Sequence, residues 1–176
     1  MLRVREGDVG MLAELFERHH RPVYNYLYRL TGSRQQAEDL VQDVFVRILK
    51  YRDTYRPRTS FVAWMYQVAR NAHIDSRRKH RIETAWNEDA PEPLSHERPA
   101  DEQLRREQEV RLVRRALAAL PPDKREVLLL SRYQNLKYEQ IGRILGCEVN
   151  TVKQRVFRAV KALSDKYEEL AGGQPA

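Results

Sequence analysis

The stretch Tyr138 to Leu163, YEQIGRILGCEVNTVKQRVFRAVKAL, reads as a short helix, a glycine turn and a second helix within 26 residues. Ile141, Ile144 and Leu145 give the first helix one apolar edge. Gly142 leaves room for a crossing helix, and Gly146 can take the positive φ that a sharp turn requires. In the second helix Val149, Val152, Val156, Ala159, Val160 and Leu163 recur at helical spacing and are expected to face inward. The face left over carries Thr151, Lys153, Gln154, Arg155, Phe157, Arg158 and Lys161. An α-helix fits the DNA major groove, where Arg, Lys and Gln reach base edges and phosphates. The pattern predicts a helix-turn-helix that binds DNA. An αα-hairpin with a solvated basic face is the alternative.

Composition points the same way. The 176 residues allow one medium or two small domains. Thirty-two Lys and Arg against 25 Asp and Glu leave a net charge of +7, which favours a polyanionic partner. One cysteine excludes an internal disulfide, and no signal peptide or long apolar run is visible, so a cytoplasmic protein without stable membrane insertion is expected. His19 and His20 are adjacent and cannot share a helix face, and no Cys/His cluster has metal spacing. Neither a metal nor a cofactor is expected. Cys147, in the turn, reads as a small buried residue.

The charge is unevenly spread. Residues 87 to 102, NEDAPEPLSHERPADE, hold six acidic residues and one basic one, with Pro91, Pro93 and Pro99. Such a segment has little to bury and resists helix, so it reads as a flexible acidic linker. No strand-like alternation appears. The expected fold is all-α: a helical domain over 1–85, a linker over 86–106, a helix-turn-helix domain over 107–170 and a disordered tail over 171–176.

In the N-terminal domain Met11, Leu12, Leu15 and Phe16 begin a helix that Pro22 kinks or restarts, continuing through Tyr24, Leu27 and Leu30 to Gly32. Ser33 followed by Gln36 matches a capping box for the next helix. Its apolar stripe is Ala37, Leu40, Val41, Val44, Phe45, Ile48 and Leu49. Its opposite face carries Glu38, Asp39, Gln42, Asp43 and Val46, an acidic ridge on an otherwise basic protein. From Phe61, capped by Thr59 or Ser60, Phe61, Trp64, Met65, Val68, Ala69 and Ala72 point to the core. Tyr66, Gln67, Arg70, Asn71 and Ile74 lie off that stripe, and Arg77, Arg78, Lys79, His80 and Arg81 end the helix with dense positive charge. Ahead of it, YRDTYRPRTS mixes Tyr51 and Tyr55 with Arg52, Arg56 and Arg58. Rings on which bases stack, beside cations for phosphates, are the makings of a single-strand site.

Four segments in this order, AEDLVQDVF, FVAWMYQVARNAHIDSRRK, LPPDKREVLLL and YEQIGRILG with NTVKQRVFRAVKAL, resemble the extracytoplasmic-function sigma factors, the minimal two-domain branch of the bacterial sigma-70 family. The resemblance runs from about Leu12 to Leu163. It implies a promoter-recognition subunit of RNA polymerase, with no catalytic residues of its own. It implies that Asp39, Gln42 and Asp43 dock on the β′ coiled coil of core polymerase, which also offers its β subunit. It implies that Tyr55, Arg56, Arg58, Asn71, Arg77, Arg78 and Lys79 read and open a −10 element. Thr151, Lys153, Gln154, Arg155, Phe157 and Arg158, on the helix from Asn150, would read a −35 element. The acidic linker would run toward the RNA exit path, and an anti-sigma factor is an expected partner. No fused regulatory domain is expected. The chain departs from the family where Glu148 and Asn150 replace a short capping residue and a glycine, and where Gln154 replaces a smaller serine. Asn150 can itself cap the helix.

Two other readings account for less. A stand-alone helix-turn-helix repressor leaves the acidic ridge and the tyrosine-arginine loop unexplained. A nuclease or recombinase would need carboxylates converging with Asp39 and Asp43, and the sequence offers none at ligand spacing.

Overall fold

The structure is a computed structural model that describes residues 1–84 and 101–172, with side chains over 1–79 and 108–172. Every regular element among the described residues is helical. The N-terminal unit contains α1 (Leu2–Arg5), α2 (Met11–Thr31), α3 (Arg34–Lys50), a 3-10 turn (Arg52–Thr54) and α4 (Phe61–Thr84). The C-terminal unit contains α5 (Asp101–Ala118), α6 (Pro122–Leu128), a π turn (Leu129–Tyr133), α7 (Tyr138–Leu145) and α8 (Val149–Gly172). Residue 85, residues 86–100 of the expected linker and residues 173–176 of the expected tail lie outside the described residues, whereas 171–172, expected in the disordered tail, end α8. Helix α5 starts at Asp101, so the stretch 101–106, expected to belong to the linker, is helical.

Local chemistry accounts for most element ends. α2 passes through Pro22 unbroken and stops at Gly32, whose φ is +73°. The Ser33 hydroxyl accepts the Gln36 amide at 3.3 Å and caps α3. Pro122 opens α6 at a position where a missing N–H costs nothing. Glu148, not Asn150, precedes the first turn of α8: its carbonyl accepts the Val152 amide at 3.0 Å, and the helix begins at Val149. Asn150 therefore lies inside the helix rather than capping it.

The predicted stripes form the core. Ala37, Leu40, Val41, Val44, Phe45 and Ile48 of α3 meet Val23 and Leu27 of α2 and Met65, Val68, Ala69 and Ala72 of α4. Leu117, Leu120, Val127 to Leu130, Ile141, Ile144, Val152, Val156 and Ala159 fill the C-terminal unit, and this cluster is continuous with the first. Burying each large aliphatic side chain contributes ~1.5–3 kcal/mol, so the shared core binds the units together. Val160, expected inward, is 42% exposed.

That seam takes one part of the off-stripe surface of α4. Tyr66 and His73 are buried, although the helical stripe puts them away from the α3 contact. The Tyr66 phenol donates to Gln134, Arg70 pairs with Glu126, and the Arg29 guanidinium lies 4.6 Å above the Tyr133 ring. Arg125 donates to the carbonyls of Leu30 at 3.3 Å, Leu120 at 3.0 Å and Ala118, joining the end of α2 to the end of α5. A cation there also complements the partial negative charge of both helix ends.

Candidate nucleic-acid interface

The helix-turn-helix is set by two glycines. Gly146 caps α7 at φ +64° in the left-handed region. A Cβ on Gly142 would sit 2.7 Å from the Cys147 carbonyl oxygen, so α7 and the turn approach as closely as backbone allows. This seats α8 with Val152, Val156 and Ala159 buried beneath it. Lys153, Gln154, Arg155, Phe157 and Arg158 all project to solvent, and Thr151 is half-buried. Phe157 is 73% exposed. A large apolar ring kept in water beside three cations and an amide suits contact with sugar walls or thymine methyls.

The second surface lies on residues 51–60 and α4. A hollow of about 720 Å³ is bounded by Tyr51, Arg56, Trp64, Gln67, Asn71 and Arg143, among others. Asn71 also edges a neighbouring hollow of about 300 Å³ with Tyr51, Arg47, Ile74 and Asp75. Arg56 and Arg58 are exposed.

Tyr55 does not fit the stacking role expected of it. It is only 6% exposed, with its ring edge-on to Trp64 at 5.5 Å and to Phe61 at 6.2 Å, and its phenol donates to the Thr59 carbonyl at 2.9 Å. A base has no free face of this ring to cover. Tyr51, 44% exposed and lining both hollows, offers the more open ring, with Lys50 Nζ 5.5 Å over one face.

The cationic run at the end of α4 also divides. Arg78 shares the face of Asn71 and Ile74 by helical periodicity. Arg77 lies near Arg125 and His73 on the side of the C-terminal unit. Lys79 borders a hollow of about 300 Å³ with Asp39, Asp43, Arg47 and Asp75, on the acidic side. Arg77, Arg78 and Lys79 therefore do not form one patch, and the side chains of His80 and Arg81 lie outside the described residues.

On the acidic ridge Asp39 and Gln42 are exposed, as is Val46 at 63%. Asp43 differs: its carboxylate lies 2.9 Å from Arg47 Nε, and Arg47 Nη1 reaches Asp75 at 2.5 Å. Burial costs the Arg47 cation, but its bonds to Asp75 and Asp43 outweigh that cost and raise its pKa. The ridge thus presents Asp39 and Gln42 outward, with Asp43 tied sideways.

Arg143, Gln67 and Trp64 were not among the site residues expected from sequence, yet they wall the larger hollow. For Arg143 no local signal existed, because it reaches the hollow only through the packing of α7 on α4. Among the described residues no three His, Cys, Asp or Glu side chains gather into a metal-binding group, and no helix is long and apolar enough to cross a membrane.

Residues 15–82 match sigma-70 region 2, and residues 111–163 match sigma-70 region 4. Over 173 residues the chain is 32% identical to the RNA polymerase sigma factor CarQ of Myxococcus xanthus, covering 97% of each. The chain belongs to the extracytoplasmic-function sigma factors. It is also 33% identical to the sigma factor SigE of Mycolicibacterium smegmatis over 86% of its own length, and spans 60% of that longer relative. Its fold matches the sigma factor RpoE of Bartonella quintana, solved with the anti-sigma factor NepR, at a TM-score of 0.72 and 24% identity, covering 93% of this chain and 98% of that one. CnrH, solved with the cytosolic domain of CnrY, gives 0.70 at 22% identity, covering 98% and 96%. Members of this family are DNA-recognition subunits rather than enzymes. The sigma factor's two matched regions fall one within each of the two helical units joined at the seam.

Proposed function

We propose that this sigma factor guides core RNA polymerase to promoters by reading a −35 element with α8 and a −10 element with residues 51–60 and α4, where strand opening begins. The observation that carries the reading is the outer face of α8: Lys153, Gln154, Arg155, Phe157 and Arg158 are exposed along a helix whose other side is core. At the −10 element Tyr51 is the stacking ring, Asn71 the hydrogen-bonding group, and Arg56, Arg58 and Arg78 the phosphate contacts. Tyr55 shapes the loop from within.

Stacking is worth ~1–3 kcal/mol per base, and unstacking one costs a similar few kcal/mol. Capture of one base can therefore start a bubble, which the polymerase must extend. Asp39 and Gln42, with the paired Asp43, meet the β′ coiled coil. The two DNA contacts lie on one chain, so the second becomes intramolecular once the first is made. The chain performs no catalysis itself and works in the cytoplasm with polymerase. The solved complexes of RpoE with NepR and of CnrH with CnrY support an anti-sigma factor as a further partner.

In vitro transcription with core polymerase on a randomised promoter library, sequencing the RNA 5′ ends, tests this. Start sites should share two spaced elements. Transcripts no different from those of core polymerase alone would reject the reading.

A further inference from the structure

We infer that Arg5 is a positioning residue for the −10 loop, acting through α1 rather than by touching DNA; this rests on the reading of residues 51–60 as the strand-capturing loop. The Tyr55 carbonyl accepts from Arg5 Nη1 at 3.2 Å, while the Tyr55 phenol donates to the Thr59 carbonyl at 2.9 Å. One residue thus ties the loop to the N-terminal helix by its backbone and closes the loop on itself by its side chain.

Packing holds the loop from the α4 side, where the Tyr55 ring meets Phe61 and Trp64, but not from the α1 side. A hollow of about 400 Å³ lies between α1, α2 and the loop, lined by Met1, Leu2, Met11, Leu15, Tyr55 and Phe61 among others. A loop with empty space behind it has few dispersion contacts on that side, so a polar anchor has more influence on its position. The anchor itself is well seated. Val4 is fully buried, and Asp8 returns to Arg3 twice, by its amide at 2.9 Å and its carboxylate at 2.7 Å. α1 precedes residue 15, where the region 2 match begins, so the buttress is an addition to the matched segment. A loop held in shape before DNA arrives loses less conformational freedom on capturing a base.

The test uses holoenzyme carrying Arg5→Met, Arg5→Lys or Arg56→Ala. It reads permanganate reactivity of thymines at the start site, closed-complex affinity and its salt dependence, at equal amounts of assembled holoenzyme. Arg5→Met should lower opening roughly two- to tenfold, about the worth of one hydrogen bond, with closed-complex affinity and salt slope unchanged. Arg5→Lys keeps a donor and should restore most of the opening. Parental opening by Arg5→Met overturns the inference. So does a loss of closed-complex affinity with a salt slope reduced by about one, which marks a direct phosphate contact. Failure of Arg5→Met to assemble where Arg5→Lys assembles also overturns it, since the role is then general folding. If Arg56→Ala reduces opening while Arg5→Met does not, the buttress alone fails. If both open normally, the −10 reading fails with it.

Discussion

Arg70 and Glu126 meet across the seam between the two units, Nε to Oε1 at 3.1 Å. The Tyr26 phenol donates to the same carboxylate oxygen at 3.5 Å. Tyr26 is fully buried, and its pKa is pushed well up by burial and by the neighbouring Glu126 carboxylate. Burial also raises the Glu126 pKa, outweighing the pull of Arg70 and the hydrogen bonds from Arg70 and Tyr26. The seam therefore needs an acceptor at this point more than it needs a charge.

Glu126→Gln keeps that acceptor and removes the cost of burying a carboxylate, so the melting temperature at neutral pH should hold or rise. Glu126→Leu leaves the phenol unpartnered and should cost about 1–3 kcal/mol. Thermal denaturation of both variants decides it. A Gln variant as unstable as the Leu variant would show that the charge itself is required.

His73 sets an acid limit on stability. Burial, with Arg77, Arg125 and Arg70 nearby, lowers its pKa from 6.5 to about 4. Between those values the unfolded chain binds a proton that the folded chain refuses, so stability falls as pH drops through that window. The full loss is on the order of 3 kcal/mol. Glu126 acts in the opposite sense, since acidification relieves a carboxylate whose pKa is raised. Urea denaturation against pH should show a flatter acid limb for His73→Leu. Parallel curves for the parent and the variant would remove His73 from the account.

Gly142→Ala places a methyl 2.7 Å from the Cys147 carbonyl oxygen, which is backbone and cannot swing aside. The expected cost is about 1–3 kcal/mol of stability, together with weaker binding to −35 duplex, because the turn that seats α8 must shift. Denaturation and fluorescence anisotropy check the two effects. An Ala variant with parental stability would mean that the turn yields freely.

On the acidic ridge the structure distinguishes two aspartates. Asp39 is exposed, whereas Asp43 is held by Arg47. Asp39→Lys should weaken core-polymerase binding by about tenfold or more, and Asp43→Asn by less, with thermal melting nearly unchanged for Asp39→Lys. Titration against labelled core polymerase measures both. The reverse order would move the docking surface away from Asp39.

At the proposed −35 surface Gln154→Ser should change the preferred base at one position by about 1–3 kcal/mol, while Arg158→Ala, as a phosphate contact, should weaken all sequences alike. Selection from a randomised duplex library separates the two effects. An unchanged profile for Gln154→Ser would assign that side chain no reading role.

The chain by itself determined the all-α class, the stripe of α3, the Ser33 cap, the glycine-ended helices and the basic face of α8. Each of these follows from period, cap chemistry or backbone freedom within a few residues. The three-dimensional structure alone decided the second buried face of α4. Tyr66 and His73 lie off the stripe that packs on α3, and Tyr66 is closed in between Tyr26 of α2 and Gln134 of the docked C-terminal unit. It also decided which tyrosine of residues 51–60 is open. Tyr51 and Tyr55 are equally aromatic and similarly flanked by arginines, but the ring that meets Phe61 and Trp64 is lost to a base, and that depends on how the loop folds back onto α4. The division of Arg77 from Lys79 and the arrival of Arg143 at the hollow have the same cause. Periodicity gives the faces of one helix, whereas burial of a face needs a second surface, often far along the chain, to exclude water from it.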